Sequence, residues 1–271
     1  MMLPVQTTQQ VFEGMLRAKS GPDFCTNFYP VRQKLEAWVA HNALAFQQGG
    51  ETTFFFRRDR NFWHLFYCAP SIQALQRDLC TLEELQTERV VADVLGTPEA
   101  LEAWLPMLES AGLRRYKRLA RMGRPAREIA AAVADGVALA TRHDAGAIVA
   151  LLEKAFDPFA KQLPSLEEIE AAAGGSEILL LKRGGALAGL LFFETRGVTS
   201  TLRFWAVAQE FRGSCVGSAL IRHYLAGQRG VQRFVLWADG DDRVLIEKYR
   251  HYHYAEDGVV DYVLANDLIT G

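Results

Sequence analysis

The chain is short of cysteine, has no long apolar run and carries almost no excess charge of either sign. Its four cysteines, Cys25, Cys68, Cys80 and Cys215, form no Cys-x-x-Cys pair and no close grouping with histidine. That pattern points away from a disulfide framework and from a bound metal. No stretch of about 18 apolar residues occurs, and no basic segment followed by an apolar one stands at the start. Neither a membrane span nor a secretory leader is therefore expected, and the protein is read as cytoplasmic. A net charge of −2 gives no global attraction to nucleic acid or to an anionic membrane. What remains is 49% hydrophobic and 23% charged, the balance of a globular protein. At 271 residues the chain is long enough for two domains, each with its own core.

The most informative stretch runs from Leu202 to Ile221. Leu202 to Val207 is rich in aromatic and β-branched residues and predicts a buried strand. Val216, Ala219, Leu220 and Tyr224 recur at three- and four-residue spacing and predict one face of a helix. Between them lies Arg212-Gly213-Ser214-Cys215-Val216-Gly217, a turn of mostly small residues. The first N–H groups of a helix have no partner inside it, and the helix dipole puts partial positive charge there. Small side chains leave those groups open to an anion, so the turn suits a phosphate or diphosphate, with Arg212 adding a full charge.

Two familiar phosphate turns fit poorly. A P-loop needs Lys-Ser/Thr after its last glycine, and here Ser218-Ala219 follows. A dinucleotide fold needs three glycines early in a strand-helix-strand unit, and only Gly213 and Gly217 are present. Val207-Ala-Gln-Glu-Phe-Arg-Gly-Ser-Cys-Val-Gly-Ser-Ala-Leu220 instead resembles the acyl-CoA-binding segment of the GNAT superfamily of N-acyltransferases. Downstream, Asp242-Arg-Val-Leu-Ile-Glu-Lys-Tyr249 followed by His253-Tyr254 resembles the family's second signature, an Asn-opened helix with a Tyr seven residues on and then a Gly-Phe pair. Three positions depart from the pattern. Cys215 stands for the first glycine of a Gly-x-Gly pair, Asp242 for the Asn, and His253 for a Gly.

The resemblance implies an α/β (α+β) fold of two tandem GNAT-like domains, each a mixed, mostly antiparallel sheet flanked by helices. Residues 136–271 would be the catalytic domain, 124–135 a linker and 1–123 a degenerate copy. In the first half, helix 31–46 is followed by strands 52–58 and 62–68, a helix capped by Ser71, a strand 89–95 and a helix from Thr97-Pro98 to Gly112 with a bend at Pro106. In the second half, strand 136–141 leads to a helix capped by Asp144 and another opened by the Ser165/Glu168 capping box. A meander of 178–183, 187–194 and 199–207 follows, then the helix after the turn, strand 233–238, helix 242–252 and strand 259–264. The two orders match without evident sequence identity, which suggests a repeat at the level of fold. After Cys68 the first half reads Ala69-Pro70-Ser71, with no glycine and one N–H fewer. An unrelated α/β domain is the other reading of this half.

The resemblance also implies a reaction, attack of an amine on the thioester of acetyl-CoA or another acyl-CoA, with a small-molecule or peptide amine as acceptor. The diphosphate would rest on the N–H groups of Gly213, Ser214, Cys215, Val216, Gly217, Ser218 and Ala219, beside Arg212. The pantetheine arm would pair with the backbone of Ala206 and Val207, and Asp242 would stand near the cofactor. Tyr249 would protonate the departing thiolate, with a core tyrosine as the competing reading. Glu194 is the first candidate base, with a surface charge as the alternative. Cys215 reads as a small turn residue before a nucleophile, and His251 and His253 fall on different helix faces, against a metal. The basic run Arg114, Arg115, Lys117, Arg118, Arg121, Arg124 and Arg127 reads as a solvated edge strand and linker before a nucleic-acid patch. A catalytically silent acyl-CoA-binding module is the rival function, and a homodimer is left open.

Overall fold

The structure is a computed structural model that describes residues 2–19, 21, 23–126 and 135–270. In chain order the elements are β1 (Leu3–Pro4), α1 (Thr8–Lys19), β2 (Cys25–Thr26), α2 (Arg32–Ala40), β3 (Leu44–Gln48), β4 (Thr53–Asp59), β5 (Phe62–Ala69), α3 (Ile72–Leu79), α4 (Glu84–Thr87), β6 (Val90–Gly96), α5 (Pro98–Leu101), α6 (Leu105–Ser110) and β7 (Leu113–Pro125). They continue as β8 (Val137–Leu139), α7 (Ala145–Ala155), α8 (Leu166–Gly174), β9 (Ile178–Arg183), β10 (Ala186–Arg196), β11 (Thr199–Val207), α9 (Val216–Gly227), β12 (Arg233–Asp239), α10 (Arg243–His251), β13 (Ala255–Asn266) and α11 (Asp267–Thr270). Among the described residues no helix is long and apolar enough to cross a membrane.

Two compact units result. The first comprises residues 1–119 and 258–271, the second residues 120–257. The expected division at 123 and 136 therefore changes at the C-terminus. Val260 to Ala265 of β13 pair antiparallel with Gly96 to Val91 of β6, and Val260 and Leu264 join the first unit's core. Residues 127–134, the greater part of the expected linker and the site of Arg127, lie outside the described residues.

Each unit repeats one plan. In the first, the strand order is β1-β3-β4-β5-β6-β13, antiparallel throughout except for the parallel pair β5 and β6. In the second, β12-β11-β10-β9-β8 are antiparallel except for the parallel pair β11 and β12. Both faces of each sheet are apolar because helices cover both. On the second unit, Ile148, Leu152 and Ile169 of α7 and α8 pack on Leu180, Leu190 and Phe204. On the opposite face, Leu220, Ile221 and Tyr224 of α9 and Ile246 and Tyr249 of α10 pack on Leu191, Phe234 and Leu236.

Local chemistry sets most element ends. Ser165 and Glu168 form the expected reciprocal box, with Glu168 N–H donating to Ser165 Oγ at 3.2 Å and Ser165 N–H to Glu168 Oε2 at 2.9 Å. Asp144 does not cap α7 directly; it closes a box with Thr141 around a short 3₁₀ turn, Arg142–Asp144. The helix expected to reach Phe46 stops at Ala40, where Asn42 turns at φ +51°, and Leu44–Gln48 becomes a strand pairing with β4. The helix expected from Thr97 to Gly112 is two helices, and Pro106 sits in the first turn of the second, where its missing N–H costs nothing. Tertiary pairing overrides helix periodicity in the first case. In the second, a proline placed mid-helix by the pattern is accommodated by restarting the helix.

Candidate functional site: a strand gap and a helix N-terminus

The site begins with a bulge. Consecutive residues Phe192 and Phe193 of β10 pair with Phe204 and Leu202 of β11, so Arg203 is the extra residue. A bulge bends its strand. Parallel pairing with β12 runs from Thr199↔Arg233 to Leu202↔Leu236 and stops there, although both strands continue. A gap therefore opens between the C-terminal ends of β11 and β12.

Strand alternation decides which backbone groups face that gap. Ala208 N–H donates to Ala188 C=O at 3.0 Å, so Ala208/Ala188 and, two residues back, Ala206/Leu190 are the hydrogen-bonded pairs. Ala206 thus spends its N–H and C=O on β10. Val207 and Trp205 direct theirs the other way, toward the gap. Of the two residues expected to meet a pantetheine arm, Val207 turns its backbone groups to the gap and Ala206 does not; Trp205 shares the edge of Val207.

The turn follows. Gly213 lies at φ +80° and Cys215 at φ +62°, both left-handed, which aims successive N–H groups outward. The N–H groups of Gly213, Cys215, Val216, Gly217 and Ser218 make no hydrogen bond among the described residues. Two amides of the expected set are taken: Ser214 N–H donates to Phe211 C=O at 3.3 Å, and Ala219 N–H to Cys215 C=O at 3.0 Å. Arg212, Gly213, Ser214 and Cys215 are exposed. Gly217 is closely approached, since a Cβ there would lie 3.3 Å from the side chains of both Trp205 and Val207, which would have to give by a few tenths of an ångström. Gly189 serves the same approach from β10, where a Cβ would stand 2.7 Å from Val216.

Trp205 is the hub, and motif matching missed it. Its ring centroid lies 5.9 Å from Tyr249 and 5.6 Å from Tyr252, and Lys248 Nζ lies 4.8 Å over it. Its Nε1–H is buried and finds no acceptor among the described residues. Tyr252 OH donates to Ser218 Oγ at 3.0 Å, tying α10 to the first turn of α9. Period-two reading of 203–207 would have put Trp205 on the same edge as Val207.

The helix tyrosine, Tyr249, is buried against Trp205 and Tyr254. Burial pushes its phenol well above the ordinary value, so it keeps its proton across neutral pH. Tyr254 is fully buried, as expected for a residue in the family's Phe position. Asp242 acts as the N-cap of α10, with Leu245 N–H donating to its Oδ1 at 2.9 Å. That accounts for the carboxylate locally, without a cofactor contact. Glu194 is not poised as a base. Its two oxygens accept from Arg203 at 2.5 Å and Arg196 at 3.0 Å. Its strand partner, Thr201, is six residues before Val207, about 20 Å along the strand.

The basic run is largely engaged. Arg114 pairs with Asp267 at 2.6 Å, Arg115 with Glu109 at 3.0 Å and Arg121 with Asp257 at 2.9 Å. Arg124 is buried, donates to Tyr252 C=O at 2.7 Å and lies over Phe234 and Tyr254.

The gap, the outward amides and the close approach at Gly217 together suit an elongated, amide-bearing arm joined to a diphosphate, the arrangement found within coenzyme A. The sequence matches no family model and no curated protein. Solved structures do share the fold. A GCN5-related N-acetyltransferase from Sphaerobacter thermophilus superposes with a TM-score of 0.59 at 16% identity, over 90% of this chain and 96% of that one. One from Kribbella flavida gives 0.55 at 15% identity, over 86% and 93%. A tandem GNAT protein from the clavulanic acid biosynthesis pathway gives 0.56 at 13% identity, over 98% and 97%. At these identities the likeness is one of fold: this chain has the GNAT fold, as two GNAT-like domains.

Proposed function

We propose that the second unit is an acyl-CoA-dependent N-acyltransferase that moves an acyl group, most simply acetyl, to the amine of a small molecule or peptide. The observation that carries this reading is the set of unbonded amides at Gly213 and Cys215–Ser218, opening beside the β11/β12 gap. Those amides would hold the diphosphate, with Arg212 supplying a full charge. Trp205 and Val207 would pair through their backbones with the pantetheine arm. Acyl-coenzyme A would supply the thioester and, on transfer, a thiolate leaving group that gains from receiving a proton. Tyr249, which packs on Trp205, would give that proton and would regain one from the attacking amine by way of solvent.

A second reading has its own support. With both Glu194 oxygens on arginines, the first-choice base is withdrawn, which favours a module that binds acyl-CoA without turnover. Thiol release from acetyl-CoA with a panel of amines separates the two. Release above the rate with acetyl-CoA alone supports the transferase; thermal stabilisation by coenzyme A without release supports the module. For the transferase, Tyr249→Phe lowers kcat by about 10²-fold or more while leaving coenzyme A affinity within about twofold. An unchanged kcat removes Tyr249 from the mechanism.

A further inference from the structure

The first unit contains the same gap, and it is already filled. Parallel pairing of β5 with β6 covers only Trp63↔Val90 and His64↔Val91, while β5 runs on to Ala69 and β6 to Gly96. Backbone groups along such an opening need partners. In the second unit, no strand among the described residues pairs with 203–207 along that edge. In the first, a short segment of the same chain lies in the opening.

Three observations define the filling. Cys25 and Thr26 pair antiparallel with Ala69 and Cys68, on the edge of β5 that β6 has left. Asn27, buried, spans both arms with one carboxamide: Nδ2 donates to Leu65 C=O at 3.1 Å and to Asp93 C=O at 3.1 Å, and Oδ1 accepts from Tyr67 N–H at 2.8 Å. Thr26 Oγ1 adds a bond to Tyr67 C=O at 2.6 Å. The mouth is closed as well. Ser71 Oγ accepts from Ala74 N–H at 3.2 Å at the start of α3, Pro70 has no N–H to offer, and Gly21 packs so closely that a Cβ would stand 2.4 Å from Pro70 C=O.

We infer that Cys25–Asn27 is a built-in occupant of the first unit's cofactor-type cleft. The Asn27 carboxamide has the donor-and-acceptor chemistry of the amides in a pantetheine arm, and it holds the backbone positions such an arm would need. The first unit therefore takes no acyl-CoA, and a chain binds one coenzyme A. The stoichiometry rests on the reading of the second unit given above; the filled cleft does not.

Two measurements on the full chain test this. Amide hydrogen exchange reads the occupant directly. The Tyr67 amide exchanges slowly in the wild type, and Asn27→Ala accelerates it by about 10²-fold or more and lowers Tm by about 5 °C. Rapid Tyr67 exchange in the wild type overturns the inference, with no variant required to fold. Titration calorimetry with coenzyme A gives one site per chain, and the added ligand slows exchange at 213–218 without changing 65–69 or 92–96. Two sites, or ligand-dependent protection at 92–96, overturn it. No binding with a slow Tyr67 amide upholds the filled cleft and removes the proposed function of the second unit.

Discussion

Cys215 and His253 stand where the resembled pattern has glycine, and both adopt φ +62°. The backbone geometry has been kept without the residue that makes it easy. His253 ends α10 in a Schellman-type turn, with Tyr254 N–H donating to Tyr249 C=O at 3.2 Å. A side chain in this conformation costs about 1–2 kcal/mol, partly offset because glycine gains freedom in the unfolded chain. Cys215→Gly is expected to raise stability by roughly 0.5–1 kcal/mol in urea denaturation. Cys215→Val, β-branched at the same φ, lowers it. Arg212 is exposed and makes no ion pair among the described residues. Arg212→Gln should weaken coenzyme A binding by a few-fold at low salt and by less at high salt, because an exposed charge is screened. Calorimetry at two ionic strengths checks it.

At the scale of elements, the site depends on one close approach, α9 onto β11 at Gly217, and on one separation, the departure of β11 from β12 after the Arg203 bulge. Gly217→Val places carbon where Trp205 and Val207 already stand 3.3 Å from a Cβ. The Trp205 and Val207 side chains must give way to the valine methyl groups as well as to its Cβ, and coenzyme A affinity is expected to fall by about tenfold or more, a loss of about 1.4 kcal/mol. Another coupling joins α7 to β9 through Asp144. Burial pushes its carboxyl up, but hydrogen bonds from Lys182 and from the Thr141 N–H and hydroxyl outweigh this and hold it at about 2, below the ordinary 3.8. Because the folded value is depressed, the stabilisation is fully present above the ordinary value and is lost as pH falls through about 2. Asp144→Asn should therefore lower Tm at pH 7, and the difference from wild type should shrink between about pH 4 and pH 2. A difference that does not change with pH would show the carboxylate is not the cause.

At the scale of the whole molecule, the end of the chain completes its beginning. Val260, Val263, Leu264 and Ala265 are buried in β13, and Asn266 accepts from Val90 N–H at 3.1 Å while donating to Leu85 C=O and Glu88 C=O. Each large apolar side chain there is worth about 1.5–3 kcal/mol, so the strand rivals the total stability of a domain, about 5–15 kcal/mol. Truncation after Asp257 is expected to unfold the first unit, seen as proteolysis across 44–96. A truncated chain resisting protease like the full one would refute this. Val216, Leu220 and Tyr224 on one helix face, the Ser165/Glu168 box and the small residues Gly213, Ser214 and Gly217 are local facts, readable from the chain alone. The repeated element order and the helix start with unbonded amides were legible in the same way. Local pattern could not reach the packing of Trp205 on Tyr249 and Tyr252, the Arg203 bulge, the return of β13 to β6 or the seating of Asn27 between β5 and β6. Each depends on which segments come to lie side by side, which is settled on folding, because hydrogen-bond partners far apart in the chain leave no periodic trace in it.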